Sequence, residues 1–420
     1  MTRVLLIAAT TGYQIRSFGE AAAKLGVRLV FASDRCDQLD DPWWDQAIPV
    51  RFHDHASSTA AIVTAFAGTP PDGILAVGDR PAVLAAHAAA AFDLPGNPPA
   101  AAAASRNKLA SRRALRAAGL PVPLFQAIPI DRDAYELSGH VTYPAVVKPL
   151  ALSGSRGVMR VNTAAEFVTA FDRLRRLLQA PDVRVERDQA HEVAMIESFI
   201  PGAECAVEAL LDRGVLRTLA VFDKPDPLDG PFFEETLYIT PSRASAETQR
   251  RIGDAVSDAA AALGLHHGPV HAECRVNGDT VFVLEVAPRP IGGLCSRALR
   301  FTEPGGSSVS LEEVLMRHAL GEDVKRYSRE PDASGVMMIP IPARGVYRRI
   351  DGVDEATQIA GVESLQITVK PDVTLVPLPE GNSYLGFIFA RGSRPEVVTR
   401  ALRDAHACLR VVIDREVAVI

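Results

Sequence analysis

Between Val270 and Gly293 the chain reads VHAECRVNGDTVFVLEVAPRPIGG, apolar runs that carry charges where a buried strand tolerates none without a partner. Thr280 to Val286 is almost wholly apolar and predicts a core strand. Asn277-Gly278 marks a hairpin turn before it. Alternation puts Glu273 on one face with His271 and Arg275, and Glu285 on one face with Val283 and Ala287. The two glutamates face the same way only if the hairpin loop holds an odd number of residues. A three-residue loop with glycine in the left-handed conformation is therefore the expected geometry. Two carboxylates on one strand pair offer hard oxygen ligands to a divalent cation, with phosphate oxygens completing the shell. A structural ion pair between Glu285 and Arg289, beside the Gly292-Gly293 turn, is the plainer account of the same residues.

At 420 residues the chain exceeds one ordinary core and implies about two to four domains. A net charge of −6 disfavours nucleic acid and anionic membrane as partners. No apolar run reaches the length of a membrane span. The opening MTRVLLIAATTGYQ has the order of a signal peptide but no small-residue cleavage pattern follows, so it reads as a first strand. The five cysteines are scattered and never form CxxC. They argue for reduced thiols, a cytoplasmic setting and no zinc site, with Cys295 a packing residue.

Residues 1–104 alternate strands (3–9, 27–32, 73–77) with helices (14–25, 81–91), a small α/β layer with a parallel sheet. The turn Ala9-Thr10-Thr11-Gly12 is not a GxGxxG dinucleotide fingerprint. Asp34, Asp37, Asp40, Asp41 and Asp45 around Trp43-Trp44 read as a polar loop with one packed tryptophan. Pro95-Gly-Asn-Pro-Pro and five alanines mark a boundary. Ser105 then reads as an N-cap, with Leu109, Ala110 and Leu115 as the apolar stripe and Gly119 and Pro121 as stop signals. Lys108 falls in the first turn, where the helix dipole disfavours a cation; a bound phosphate relieves that conflict, and a solvated lysine is the plain alternative.

The strand VTYPAVVKP ends in Lys148 and runs into Ser153-Gly154-Ser155-Arg156-Gly157. Backbone N–H groups of such a loop, with a lysine as point charge, can hold polyphosphate, although the GxxxxGK[ST] pattern is missing. Thr163 and Glu166 form a capping box for a helix to about Gln179, on which Arg173, Arg175 and Arg176 read as a solvated face. Two strands flank Pro201-Gly202 as a hairpin, Glu197 ending one and Glu204 beginning the next. Residues 223–243 are a long loop that must bury Phe232 and Phe233, the mark of a functional loop or lid, with Lys224, Glu234 and Glu235 as candidates. His271 shares the face of Glu273 and is a candidate substrate contact. A helix is expected over Cys295–Phe301, where Arg297 suits a substrate carboxylate. From Ser334 short strands alternate with turns, followed by GFIFARG and a helix from Pro395 to Leu409, an α+β module.

Glu273, Glu285-x-Ala287-x-Arg289 and Gly292-Gly293 resemble the metal and catalytic motif of the ATP-grasp carboxylate–amine ligases. That family usually shows Glu-x-Asn-x-Arg, and here Ala287 stands in the asparagine's place. The resemblance covers about residues 105–320, with four motifs in family order. It implies that Lys108, Lys148, Ser153, Gly154, Ser155 and Gly157 hold the phosphates of ATP. It also implies that Glu197, Phe199 and Ile200 meet the adenine and that Glu204 meets the ribose. Glu273 and Glu285 would bind magnesium, or manganese in its place, and Arg289 and Lys148 would be catalytic. Glu235, His271, Gly292, Gly293 and Arg297 would face substrate. The last module resembles the C-terminal domain of L-amino-acid ligases.

The implied architecture is α/β and α+β multidomain: a Rossmann-like domain over 1–104, an ATP-grasp domain over 105–325 with a lid at about 121–200, and a C-terminal domain over 330–420. The implied reaction joins a small-molecule carboxylate to an amine, both amino acids in the best reading, through an acylphosphate with release of ADP and phosphate. Purine-type, biotin-carboxylase-like or specialised-metabolite ligation is the alternative within enzymes, and a catalytically silent ATP-binding sensor or scaffold the alternative outside them. A cytoplasmic homodimer that binds neither nucleic acid nor membrane completes the expectation.

Overall fold

The computed structural model describes residues 1–10, 14–34, 47–303, 305–381 and 383–414. The expected packed tryptophan and most of the aspartate-rich loop lie outside the described residues. The architecture is the mixed α/β multidomain one that the sequence predicts.

The first domain is a parallel four-stranded sheet in the order Ile48–Pro49, Arg28–Ser33, Arg3–Ala8, Gly73–Val77. Val4, Leu5, Leu6 and Ile7 are wholly buried, as both faces of a helix-covered parallel sheet require. The helix Ile15–Leu25 stops where Gly26 turns left-handed at φ +64°.

The next junction differs from the expectation. Pro98-Pro99 starts a helix over Pro99–Arg106, and the alanine run carries it past Ser105, whose hydroxyl donates to the Ala101 carbonyl at 2.9 Å. The cap of the following helix, Lys108–Ala117, is Asn107, which leaves the helical region and accepts from the Leu109 and Ala110 N–H groups at 3.1 Å.

A four-stranded antiparallel sheet follows, in the order Phe125–Pro129, Val193–Ser198, Ala145–Pro149, Met159–Val161. The helix Ala164–Leu178 packs Phe167, Phe171, Leu174 and Leu178 against it. Thr163 caps that helix, but the Glu166 carboxylate turns back to the Asn162 N–H at 2.7 Å rather than to the cap residue.

Glu197 and Glu204 do not flank a hairpin. The strand Val193–Ser198 belongs to this small sheet, and Ala203–Asp212 belongs to a larger one. Phe199 to Gly202 crosses between them. A Cβ at Gly202 (φ +116°) would stand 2.1 Å from the Val276 carbonyl oxygen, so only glycine lets the crossing press against the neighbouring strand.

The larger sheet has eight antiparallel strands, in the order 280–287, 268–277, 203–212, 215–223, 237–240, 333–339, 386–392, 362–367. Its last three strands come from the expected C-terminal module, which therefore continues the central sheet. Every residue of Ala333–Ile339 is buried, so that strand needs backbone partners on both edges; Leu237–Thr240 supplies one and Gly386–Gly392 the other. The expected helix over Cys295–Phe301 is a 3₁₀ turn, Cys295–Ala298, and then a strand, Arg300–Thr302, in which buried Phe301 pairs with Val309. Among the described residues no helix is long and apolar enough to cross a membrane.

Candidate active site

The two glutamates that open the sequence reading face each other, by a different route from the one expected. Asn277 pairs with Thr280, so the hairpin loop is the two residues Gly278-Asp279, with Gly278 at φ +58°. An even loop alone would set Glu273 and Glu285 on opposite faces. The register shifts after Cys274↔Val283, however, leaving Leu284 as an extra residue, and Glu273 pairs with Glu285. This β-bulge replaces the expected three-residue loop. It sends Val283 into the core beside Cys274 and turns both Leu284 and Glu285 toward a cavity of about 400 Å³. The cavity is bounded by all four parts of the chain: the first domain, the small sheet, the large sheet and the C-terminal strands.

Its lining includes Lys108, Lys148 and the loop residues Ser153, Gly154 and Ser155. Glu197, Phe199, Ile200 and Glu204 line it too. Glu197 is buried and accepts from Arg112 Nε at 2.6 Å, and it pairs also with Lys148. Arg112 is wholly buried and donates from Nη1 to the Val283 and Leu284 carbonyls at 3.2 and 2.9 Å, which ties the helix Lys108–Ala117 to the bulge. Burial lowers the Lys148 pKa to about 8, with repulsion from Arg112 and Lys108 adding to it and Glu197 offsetting only part. Lys108 donates to the Leu152 carbonyl at 2.9 Å and lies 3.3 Å from Glu285 Oε2.

Gly157 lies outside the cavity lining. Its N–H donates to the Pro379 carbonyl at 2.8 Å, and a Cβ there would press on Leu174 and Leu177 at 3.0 Å.

Glu273 also belongs to a charge cluster around Lys224. Lys224 Nζ lies 2.9 Å from Glu204 Oε1 and 3.4 Å from Glu273 Oε1, and it also pairs with Glu235. Oxygens of Glu204, Glu235 and Glu273 lie within 4.8 Å of one another. Glu204 is no exposed acid: Arg275 Nε holds its other oxygen at 2.8 Å. Tyr238 donates to Glu235 Oε2 at 2.8 Å. Burial, reinforced by Glu235, pushes the Glu273 pKa up to about 7 against the pull of Lys224.

Hard carboxylate oxygens converging from two strands fit magnesium or manganese. Ala287 offers no ligand, while the Lys224 ammonium already brings positive charge among these oxygens. Because a cation must displace the Glu273 proton, apparent magnesium affinity should rise by up to tenfold per pH unit below about 7 and level off above it. Calorimetric titrations at a series of pH values check this, and Glu273→Gln should flatten the profile.

Glu235, His271, Arg289, Gly292 and Gly293 also line the cavity. His271 Nδ1 lies 3.1 Å from Glu208 Oε2, and the other Glu208 oxygen accepts the Ile291 N–H at 3.1 Å. Gln14 donates to the Ile291 carbonyl, fixing the same turn from the first domain. Arg289 donates from Nε to Asp79 Oδ1 at 2.7 Å, again reaching the first domain. Met338, Tyr384 and Phe387 line the cavity from the C-terminal module. Arg297 does not join them; it donates to Gln366 at 2.8 Å and lies over the Phe389 ring, outside the cavity.

Three parts of the chain match known families. Residues 19–96 match the ATP-grasp N-terminal domain, 141–298 the ATP-grasp domain, and 337–414 the L-amino acid ligase C-terminal domain 2. The chain belongs to the ATP-grasp superfamily. Its backbone is similar to the crystal structure of L-amino acid ligase from Bacillus licheniformis, at a TM-score of 0.82 and 26% identity over 99% of both chains. The y4rH protein of Sinorhizobium fredii is 26% identical over 74% of this chain and 63% of its own length. D-alanine–D-alanine ligase of Aromatoleum aromaticum is 27% identical over 54% of this ATP-grasp chain and 68% of that protein.

Arg112, Glu208, Arg275 and Asp79 had no role in the sequence reading. Arg112 carried a signal, since its spacing from Leu109 and Leu115 puts it on the apolar stripe of its helix. Glu208 carried one too, as an acid inside the apolar run CAVEALL. Asp79 carried none, because its partner is 210 residues away.

Proposed function

We propose that this ATP-grasp protein is an ATP-dependent carboxylate–amine ligase that joins two L-amino acids into a dipeptide. The observation that supports it is one cavity lined together by Lys108, Lys148 and the Ser153–Ser155 loop, the paired Glu273 and Glu285, Arg289, and residues of the C-terminal module. The relatives named for joining amino acids support the choice of substrates.

In this reading a substrate carboxylate oxygen attacks the γ-phosphorus of ATP and ADP leaves. The amine then attacks the acyl carbon of the acylphosphate, and phosphate leaves. Such transfer depends on positioning and charge neutralisation. Lys108 and Lys148 supply fixed positive charge to the phosphates. A divalent cation held by Glu273 and Glu285 would supply further charge neutralisation at the phosphate oxygens. Arg289, aimed by Asp79, faces the oxyanion that forms on the acyl carbon. The loop Ser153–Gly157 excludes water from the acylphosphate.

Incubation with ATP, magnesium and amino acids, singly and in pairs, with ADP, phosphate and product mass as readouts, tests the reading. ADP with a dipeptide-sized product supports it; AMP with pyrophosphate removes the acylphosphate route. ATP binding with no turnover on any pool would instead favour the non-catalytic alternative.

Lys148 adds a pH signature. Its charge is present below about pH 8 and lost above, so ATP affinity should weaken as pH rises through that value. Lys148→Arg, which keeps its charge, should flatten the dependence in an equilibrium binding series.

A further inference from the structure

The phosphate-side loop is held from outside the ATP-grasp domain. Four hydrogen bonds join it and its helix to residues 379–380 of the C-terminal module. The Gly157 N–H donates to the Pro379 carbonyl at 2.8 Å. Arg156 Nε donates to the Glu380 carbonyl at 2.7 Å. Arg173, on the helix that packs behind the loop, grips the Glu380 carboxylate with two nitrogens, Nη2 to Oε2 at 2.8 Å and Nε to the other oxygen. Arg173 also lies over the Phe232 ring, 5.1 Å from its centroid. The arginines read as a solvated helix face thus include one committed to a partner 207 residues away.

A two-nitrogen arginine–carboxylate contact fixes orientation as well as distance. Tyr384, four residues further along the chain, lines the cavity. Pro379 and Glu380 of the C-terminal module therefore lie against the Ser153–Gly157 loop, and Tyr384 lies against the cavity.

We propose that Glu380 is a positioning residue: it latches the Ser153–Gly157 loop against the C-terminal module and so keeps the acylphosphate shielded until the amine attacks. The proposal rests on the ligase reading for its chemical consequence, though not for its structural one. An acylphosphate reached by water gives the free acid and phosphate, so the ADP already released in forming it is not matched by an amide. A loosened latch thus separates ATP consumption from product formation, which general destabilisation of the fold does not do.

The test uses the full chain with Glu380→Gln, which keeps size and removes charge. Hydrogen exchange at the Gly157 amide reads the latch directly, since that N–H is bonded to Pro379. It should quicken by about three- to tenfold. With a substrate pair that turns over, KM for ATP should rise by a similar factor, and ADP released per dipeptide should exceed the wild-type ratio. The charge swap Arg173→Glu with Glu380→Arg should return all three toward wild type. Asp182→Asn, which removes the exposed partner of Arg156 at 2.6 Å, should leave them unchanged. Wild-type exchange and wild-type coupling in Glu380→Gln would overturn the latch. If the wild-type protein releases no ADP with any amino acid, the ligase reading fails, and Gly157 exchange still decides the latch.

Discussion

Replacing Arg289 by alanine is expected to lower ligation turnover by about 10²- to 10³-fold, the range for removing one preorganised donor from a developing oxyanion. ATP affinity should stay within about twofold, because the role proposed for Arg289 is to stabilise the oxyanion rather than to hold the phosphates. Steady-state kinetics with equilibrium nucleotide binding checks both halves. Turnover like wild type would remove the arginine from the mechanism. Asp79 sharpens the test. Burial alone would raise its pKa, but the charge and hydrogen bond of Arg289 carry it below the ordinary value. A depressed carboxylate contributes stability that is present above its unfolded pKa and is lost as pH falls through the folded one. Asp79→Asn should therefore cost stability near neutral pH, with the difference from wild type closing in acid, and, by releasing the guanidinium from its aim, should bring a smaller loss of turnover of about tenfold. Arg289→Lys keeps the charge but not the planar fork, so it should recover only part of the activity.

The largest effect on stability is expected from Arg112→Met. Arg112 is wholly buried and its partner Glu197 nearly so. Breaking such a pair leaves a buried charge short of a partner and costs about 3–5 kcal/mol. Burial would raise the Glu197 pKa, but Arg112 and then Lys148 bring it below the ordinary value. Its contribution is thus present near neutrality and lost as pH falls through that lowered pKa. Denaturant unfolding of wild type and variant should differ most at neutral pH and converge in acid. A difference under about 1 kcal/mol at neutral pH would show that the Lys148 contact alone satisfies Glu197. The double variant Arg112→Met with Glu197→Gln should recover part of the loss, since it removes the orphaned charge along with its partner.

The sequence carried the site wherever the physics was local. A carboxylate inside an apolar strand is costly enough to stand out alone, which is why Glu273 and Glu285 were legible. Lys148 at a strand end, followed by serine and glycine, was legible for the same reason. Arg112 and Glu208 obeyed this rule too and could have been found by it. Register was harder. Asn277-Gly278 is compatible with two- and three-residue loops, and the bulge at Leu284 is settled by the two strands pairing along their whole length.

What the sequence by itself determined was therefore element identity and the chemistry of single positions: the parallel first sheet, the apolar hairpin, and acids and lysines where only function or pairing explains them. Tertiary structure alone decided which of those charges meet. Asp79 on Arg289, Lys224 among three glutamates, and Glu380 on Arg173 join residues far apart in the chain. It also decided that the C-terminal strands complete the central sheet. The reason is common to all of these. A buried charge or an open strand edge states that a partner is needed, but many residues could satisfy it, and only the packed fold selects one.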